Sequence, residues 1–331
     1  MNEALCVYYS SVESKKVDWL WYPYIPYGKL TLLQGDPGEG KSTFIINVAA
    51  RLTNGEAMPG TSDVGTPQTV IYQCAEDNVA DTIKPRLVAA GADCSRIAFI
   101  ADESEQLTLE DQRIEQAIKE TKARLLIIDP LQAFMAQDGD MQNAVRVRTV
   151  LRKLANVAAR NNCAVVMIGH MNKGVGGKNL YRSLGSIDIA AISRSVLMIA
   201  RDNADPNLRY MFPVKSSLAA EGSPIAFRMD EKRGFTWIGK CAMGDSVKNE
   251  DANISKLDLA RSFIVDILAD GPAPAKDIIG DLAKLSIGQR TVESAKKALG
   301  VKSHRIGSAW FWSLDGNYEQ RTGGHSVCDI E

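Results

Sequence analysis

The sequence is poor in the features that mark several protein classes. Histidine occurs only 3 times in 331 residues, widely spread, which argues against a zinc site built on histidine ligands. The six cysteines (Cys6, Cys74, Cys94, Cys163, Cys241 and Cys328) form no CxxC pair, and Cys74 and Cys163 sit in apolar, strand-like runs. This pattern predicts free, mostly buried thiols in a cytoplasmic protein rather than a disulfide scaffold. No stretch reaches about 18 apolar residues, so no membrane partner is expected. The start, MNEALCVYYSSVESKK, lacks the charged opening and apolar run of a signal peptide. No internal repeat is found. An excess of one charge sign is also missing: 39 Lys and Arg against 40 Asp and Glu leave a net charge of -1, so any nucleic-acid surface must be local. What is present is a globular composition, 45% hydrophobic and 24% charged. It excludes a disordered or fibrous chain and suits about two domains.

Strand-like and helix-like segments alternate along the first half. KLTLLQ (29–34) precedes GDPGEGKST, and FIINVAARL then has helical spacing up to Asn54-Gly55. There follow TVIYQC (69–74), a helical stretch to Gly91, IAFI (97–100), an amphipathic helix over 108–121, LLIID (125–129), a helix over 141–161 and AVVMIGH (164–170). Short apolar strands alternating with helices predict an α/β fold, a mainly parallel sheet flanked by helices. Residues 171–186 are polar and glycine-rich, an exposed loop. SVLMIA (195–200), RYMFPV (209–214) and PIAFRM (224–229) are expected to extend the sheet at one edge. The expected organisation is an N-terminal extension (1–18), a large domain (19–241), a polar linker (242–255), a small domain (256–315) and a flexible tail (316–331). The small domain reads as helices at 256–269, 275–284 and 288–299 closed by a hairpin in HRIGSAWFWSL.

Gly35-Asp36-Pro37-Gly38-Glu39-Gly40-Lys41-Ser42 fits GxxxxGK[ST], and Thr43 completes the site. Glycines let the backbone curl so that N–H groups converge on phosphate oxygens, and the following helix adds its positive end. Lys41 would reach the β- and γ-phosphates of ATP, and the Ser42 hydroxyl would coordinate Mg2+. Asp129, ending the LLIID strand, would hold the same ion. Hydrolysis also needs a carboxylate to orient or deprotonate water. Pro130 follows Asp129, so no Glu stands directly after it. The remaining solution is the end of the neighbouring strand, where Glu76 is favoured and Asp77 is the rival.

These residues, QGDPGEGKST, the Ala75-Glu76-Asp77 step and LLIIDPL, resemble the RecA-like P-loop ATPases, and most closely the RepA-type hexameric replicative helicases. The resemblance spans about residues 19–230. It implies a ring-forming, often hexameric ATPase that translocates on single-stranded DNA in the replication of a mobile element, with a replication initiator or loader as a further partner. It also implies that His170 senses the γ-phosphate, that Arg86 packs on adenine, and that Arg194, after a Gly185-Ser186 step, is an arginine finger reaching the neighbouring subunit. Lys215 resembles a second trans-acting cation, with a surface ion pair as the alternative. Two other readings stay open: an ATP-gated DNA-binding regulator or loader without unwinding, and a recombinase- or defence-type filament.

In RecA-like rings the loops after Asp129 and His170 line the central channel. Here the second carries Lys173, Lys178 and Arg182, which would neutralise DNA phosphates without reading sequence, with Tyr181 available to stack. The small domain resembles the winged helices appended to mobile-element ATPases. Its cations Lys284, Arg290, Lys296, Lys297, Lys302 and Arg305 outnumber the single acid Glu293 over 284–306. Gln289-Arg290-Thr291 would open its duplex-contacting helix from Ser286 or Gly288. Ile287, Val292, Ala295 and Leu299, with Trp310 and Trp312, are read as core. A protein-binding use of this domain is the alternative.

Overall fold

The computed structural model describes residues 6–101, 106–135, 144–169, 187–242, 256–269, 271–284 and 287–314. They fall into two compact units, one ending near residue 242 and the other beginning at 256.

The first unit opens with a hairpin, β1 (Trp19–Trp21) and β2 (Ile25–Pro26). It continues through β3 (Leu30–Gln34), α1 (Lys41–Asn54), β4 (Val70–Cys74), α2 (Lys84–Ala89), β5 (Ile97–Ala98), α3 (Gln112–Thr121), β6 (Leu125–Asp129), α4 (Ala144–Arg160), β7 (Ala164–Ile168), α5 (Ile187–Ile192), β8 (Ser195–Arg201), β9 (Leu208–Ser216), β10 (Ile225–Asp230) and β11 (Gly234–Lys240). Nine strands make one sheet in the order β11-β10-β9-β8-β3-β7-β6-β4-β5. The six from β8 to β5 are parallel, and β9, β10 and β11 add an antiparallel extension at one edge. The fold is therefore α/β with a mainly parallel sheet flanked by helices. β3, β6 and β7 are buried along their whole length, as expected of strands covered on both faces. On one face α1 packs Phe44, Ile45 and Val48 into the largest apolar cluster. Trp21, Phe44, Phe227, Phe235 and Trp237 join there through ring contacts of 4.7 to 6.3 Å.

Local hydrogen bonds shift several expected boundaries. The helix predicted from 108 begins at Gln112 because Asp111 caps it, its carboxylate accepting the Arg113 N–H at 2.8 Å. The strand predicted over 97–100 stops at Ala98. The Gln73 side chain takes both backbone groups of Ile100, at 2.9 and 3.2 Å, in place of a strand partner. The stretch toward Gly91 is two pieces, a π-helical turn at Val79–Ile83 capped by Asn78 and then α2. β11 lies beyond the three edge strands that the sequence predicts, because it lacks an apolar run and its residues alternate between exposed and half-buried.

The second unit contains α6 (Lys256–Ala269), β12 (Ala273–Pro274), α7 (Ala275–Lys284), α8 (Gln289–Ala298), β13 (Lys302–Ile306) and β14 (Ala309–Ser313). Its sheet runs β12-β14-β13, all antiparallel. Phe263, Ile264, Leu268, Ile278, Leu282, Ile287, Val292, Ala295 and Trp312 form its core. α8 starts directly after Gly288, its N-cap; Ser286, the other expected start, lies outside the described residues. Trp312 is core as expected, but Trp310 is not: it is 56% exposed. It lies nearer the β13–β14 turn, where the core no longer reaches it. Among the described residues no helix is long and apolar enough to cross a membrane.

Candidate active site at the phosphate loop

Strand β3 delivers the chain to one end of the sheet, and the loop there turns where side chains cannot be accommodated. A Cβ on Gly35 would stand 2.6 Å from the Ile199 carbonyl oxygen of β8. Gly40, at φ 87°, caps α1 in the left-handed region. α1 begins at the next residue, so its unpaired N–H groups and positive dipole end open on the loop. Lys41 is 4% exposed and donates to the carbonyls of Gly35 (2.8 Å) and Asp36 (3.0 Å). Burial lowers its pKa, while the charges of Asp129, Asp36, Glu39 and Glu76 raise it. A buried ammonium near several carboxylates and held by two backbone carbonyls is suited to transfer onto an arriving anion. Ser42 and Thr43 are half-buried in the first turn of the helix.

The neighbouring strands contribute acids at the same end. Asp129, at the end of β6, is buried, and the Tyr72 hydroxyl of β4 donates to its Oδ2 at 2.8 Å. Burial and the Asp129 charge raise the pKa of Tyr72, so its phenol stays protonated and keeps the carboxylate oriented. Cys74, the last residue of β4, pairs in register with Asp129, which brings Glu76 and Asp77 to the same end. The two acids differ in their surroundings. Asp77 receives Arg86 NH1 at 2.6 Å, while Glu76 is exposed and its charge acts on Lys41. Arg86, expected on adenine, is here the partner of Asp77.

Arg194 and Lys215 lie at the other end of the sheet. The Arg194 N–H bonds the carbonyl of Leu30, the first residue of β3, and its side chain is exposed. Lys215 of β9 pairs with Val196 of β8, and its ammonium donates to the carbonyls of Ala190 (2.8 Å), Ala191 (3.0 Å) and Ser193 (2.9 Å). All three protons are spent on the C-terminal end of α5, an arrangement unlike the outward-reaching cation of the family resemblance. Burial and the Arg194 charge push its pKa down to about 8, while the carbonyls at the negative end of α5 favour its charged form. Replacing Lys215 with Met should orphan those carbonyls and lower the unfolding free energy by about 2 kcal/mol, read by urea unfolding; an unchanged midpoint would refute the capping role.

Three residues that sequence spacing did not single out also touch the loop. Arg201, at the end of β8, donates to the Gly38 carbonyl at 3.2 Å and meets Glu39 Oε1 at 3.5 Å. Arg209 stands across from it on β9 and is buried, and a Cβ on Gly40 would collide with Met229 Sδ of β10. Glu39, named as part of the nucleotide pocket, thus turns toward these arginines, and burial raises its pKa against their pull. The signal that could have found them is the antiparallel pairing of β8, β9 and β10, which a one-dimensional reading does not supply. His170, Lys173, Lys178, Tyr181, Arg182 and the Gly185-Ser186 step lie outside the described residues. Arg290, Lys297, Lys302 and Arg305 are exposed on the second unit, while Lys296 is half-buried, its ammonium 4.8 Å from the centroid of the Trp312 ring.

A family model described as an AAA domain matches residues 9–176. The chain is 32% identical over 148 residues to the DNA repair protein RadA of Streptococcus pyogenes serotype M3, covering 44% of this chain and 28% of that protein. It is 31% identical over 148 residues to DNA repair protein RadA of Streptococcus pneumoniae, covering 44% and 31%. For DNA repair protein RadA of Mycobacterium tuberculosis the identity is 28% over 149 residues, covering 44% and 28%. The match spans less than a third of the length of these curated relatives. Because the family match takes in just over half of the chain, including the glycine loop and the acids at the ends of β4 and β6, this chain belongs to the AAA-domain family as a RecA-like P-loop ATPase.

Proposed function

We propose that this chain is an ATP-hydrolysing motor acting on DNA, assembled as a ring in which the nucleotide of one subunit is completed by Arg194 of the next. The observation that carries this reading is the position of Arg194 at the opposite end of the sheet from its own phosphate loop. β3 is five residues long, so the separation is on the order of 15 Å, beyond the reach of a side chain in the same subunit. An exposed guanidinium there is suited to spreading γ-phosphate charge across an interface.

Within the subunit, Lys41 and the N–H groups of the loop would bind the phosphates of ATP. Ser42, in the first turn of α1, and Asp129, at the end of β6, offer hard oxygen donors, a set that fits Mg2+. When bound, that ion would neutralise charge on the phosphates. Tyr72 would keep Asp129 oriented. Glu76 would orient the attacking water and accept its proton, its charge already acting on Lys41 at the same end of the sheet. His170, Lys173, Lys178 and Arg182 would couple the γ-phosphate to single-stranded DNA. The second unit has the element order of a winged helix, and α8 with its hairpin would add duplex contacts through Arg290, Lys296, Lys297, Lys302 and Arg305. A cytoplasmic, hexameric helicase loaded by an initiator is the finer form of this reading.

The relatives, named as DNA repair proteins, favour a second form, an ATPase of DNA repair rather than replication. A strand-separation assay divides the two. The test of the reading as a whole is steady-state ATP hydrolysis with and without single-stranded DNA, with Lys41→Ala as the blank. Strong stimulation that vanishes in the blank is expected. ATP binding with no stimulation would overturn the motor in favour of a switch or loader.

A further inference from the structure

The second unit leaves one large aromatic side chain in water. Trp310 is 56% exposed, whereas Trp312, two residues along β14, is 3% exposed and part of the core. Side chains two apart on a strand share a face, so Trp310 continues outward the face that Trp312 begins. The hairpin register sets Arg305 directly across from Trp310 and Ser303 across from Trp312, so the Cβ atoms of Arg305 and Trp310 stand about 5 Å apart on one face of the hairpin. From the helix side, Lys296 lies over the Trp312 ring. One face therefore runs from Lys296 through the two tryptophans to Arg305.

The surroundings separate this face from an ordinary protein-docking patch. Among the described side chains of this unit, Trp310 is the only large apolar one that is exposed, so there is no apolar neighbourhood to bury with it. Its neighbourhood is cationic instead: over 287–314, Arg290, Lys296, Lys297, Lys302 and Arg305 face the single acid Glu293. A flat aromatic ring flanked by positive charge complements a base attached to phosphates.

We propose that Trp310 and Arg305 form a stacking site for an unpaired nucleobase, the indole taking the base and Arg305 the adjoining phosphate. This rests on the reading of the chain as an ATPase acting on nucleic acid. A paired base is already stacked within its helix, so the site takes an unpaired base, in a single strand or at the frayed end of a duplex held by α8, and it tolerates any base because every base has a π-face.

The test uses the full chain and three fluorescent ligands: oligothymidylate, an abasic oligomer of the same length, and a duplex. The abasic oligomer keeps the phosphates and removes the bases. Trp310→Ala is expected to weaken oligothymidylate binding about tenfold and to leave abasic binding unchanged. Trp310→Phe should retain most of the affinity. Thermal unfolding of both variants should match the wild type, since the side chain is largely exposed. Equal losses on oligothymidylate and abasic oligomer would overturn the stacking role. Oligothymidylate binding indifferent to Trp310 would overturn this site alone and assign the hairpin to a protein partner. Failure of the wild type to bind any of the three would overturn both this site and the nucleic-acid reading beneath it.

Discussion

Adding Arg194→Ala subunits to wild-type protein is expected to depress ATP turnover below the line set by dilution. The reason is geometric. Within one subunit Arg194 is fastened to Leu30 at the start of β3, while the phosphate loop begins after Gln34 at that strand's far end. If the guanidinium acts on ATP, it acts on another subunit's ATP, so each variant subunit disables a neighbour's site while its own remains competent. The pure variant should lose about 10³- to 10⁵-fold in turnover, the range seen for arginine fingers, and keep ATP binding through Lys41. Its fold should survive, because the side chain is exposed. A strictly proportional loss in the mixtures would refute action across an interface, and a monomer with full activity would refute the shared site altogether.

Glu76→Gln should bind ATP and hydrolyse it about 10²- to 10⁴-fold more slowly. The substitution conserves shape and removes only the ability to carry charge and accept a proton. The same substitution removes one of the carboxylates that favour the charged form of Lys41, an effect that should show in nucleotide affinity rather than in turnover. Asp77→Asn is the companion variant. It breaks an exposed ion pair with Arg86, an interaction worth little to stability, and it should leave hydrolysis near wild type. Reversal of the two outcomes, with Asp77→Asn inactive and Glu76→Gln active, would move the base by one residue.

Much of the phosphate site was legible in the sequence because it is contiguous. An apolar strand, a glycine loop and an amphipathic helix follow one another within about 25 residues, and each declares itself through local chemistry: burial, positive φ and helical spacing. Asp129 was legible for the same reason, as the first polar residue after a fully apolar run. The preference for Glu76 over Asp77 came from position at the strand end; the ion pair of Asp77 with Arg86 was not legible, because Arg86 arrives from the following helix. Arg201, Arg209 and Met229 were missed because their place beside the loop comes from antiparallel pairing between strands. Spacing along one strand does not encode that pairing.

The sequence by itself determined the class of the fold and the location of the glycine loop, since hydrophobic periodicity and glycine chemistry act over a few residues. Tertiary structure alone decided how the side chains are used. Lys215 reads in the sequence as a trans-acting cation or a surface ion pair, yet it closes the end of α5 because β9 runs back alongside β8. Trp310 looks like core beside Trp312, yet it stands in water because the core of the small unit ends one step short of it. IAFI looks like a full strand, yet a glutamine side chain replaces its last partner. In each case the deciding partner comes from another element of the chain, and only the fold brings the two together.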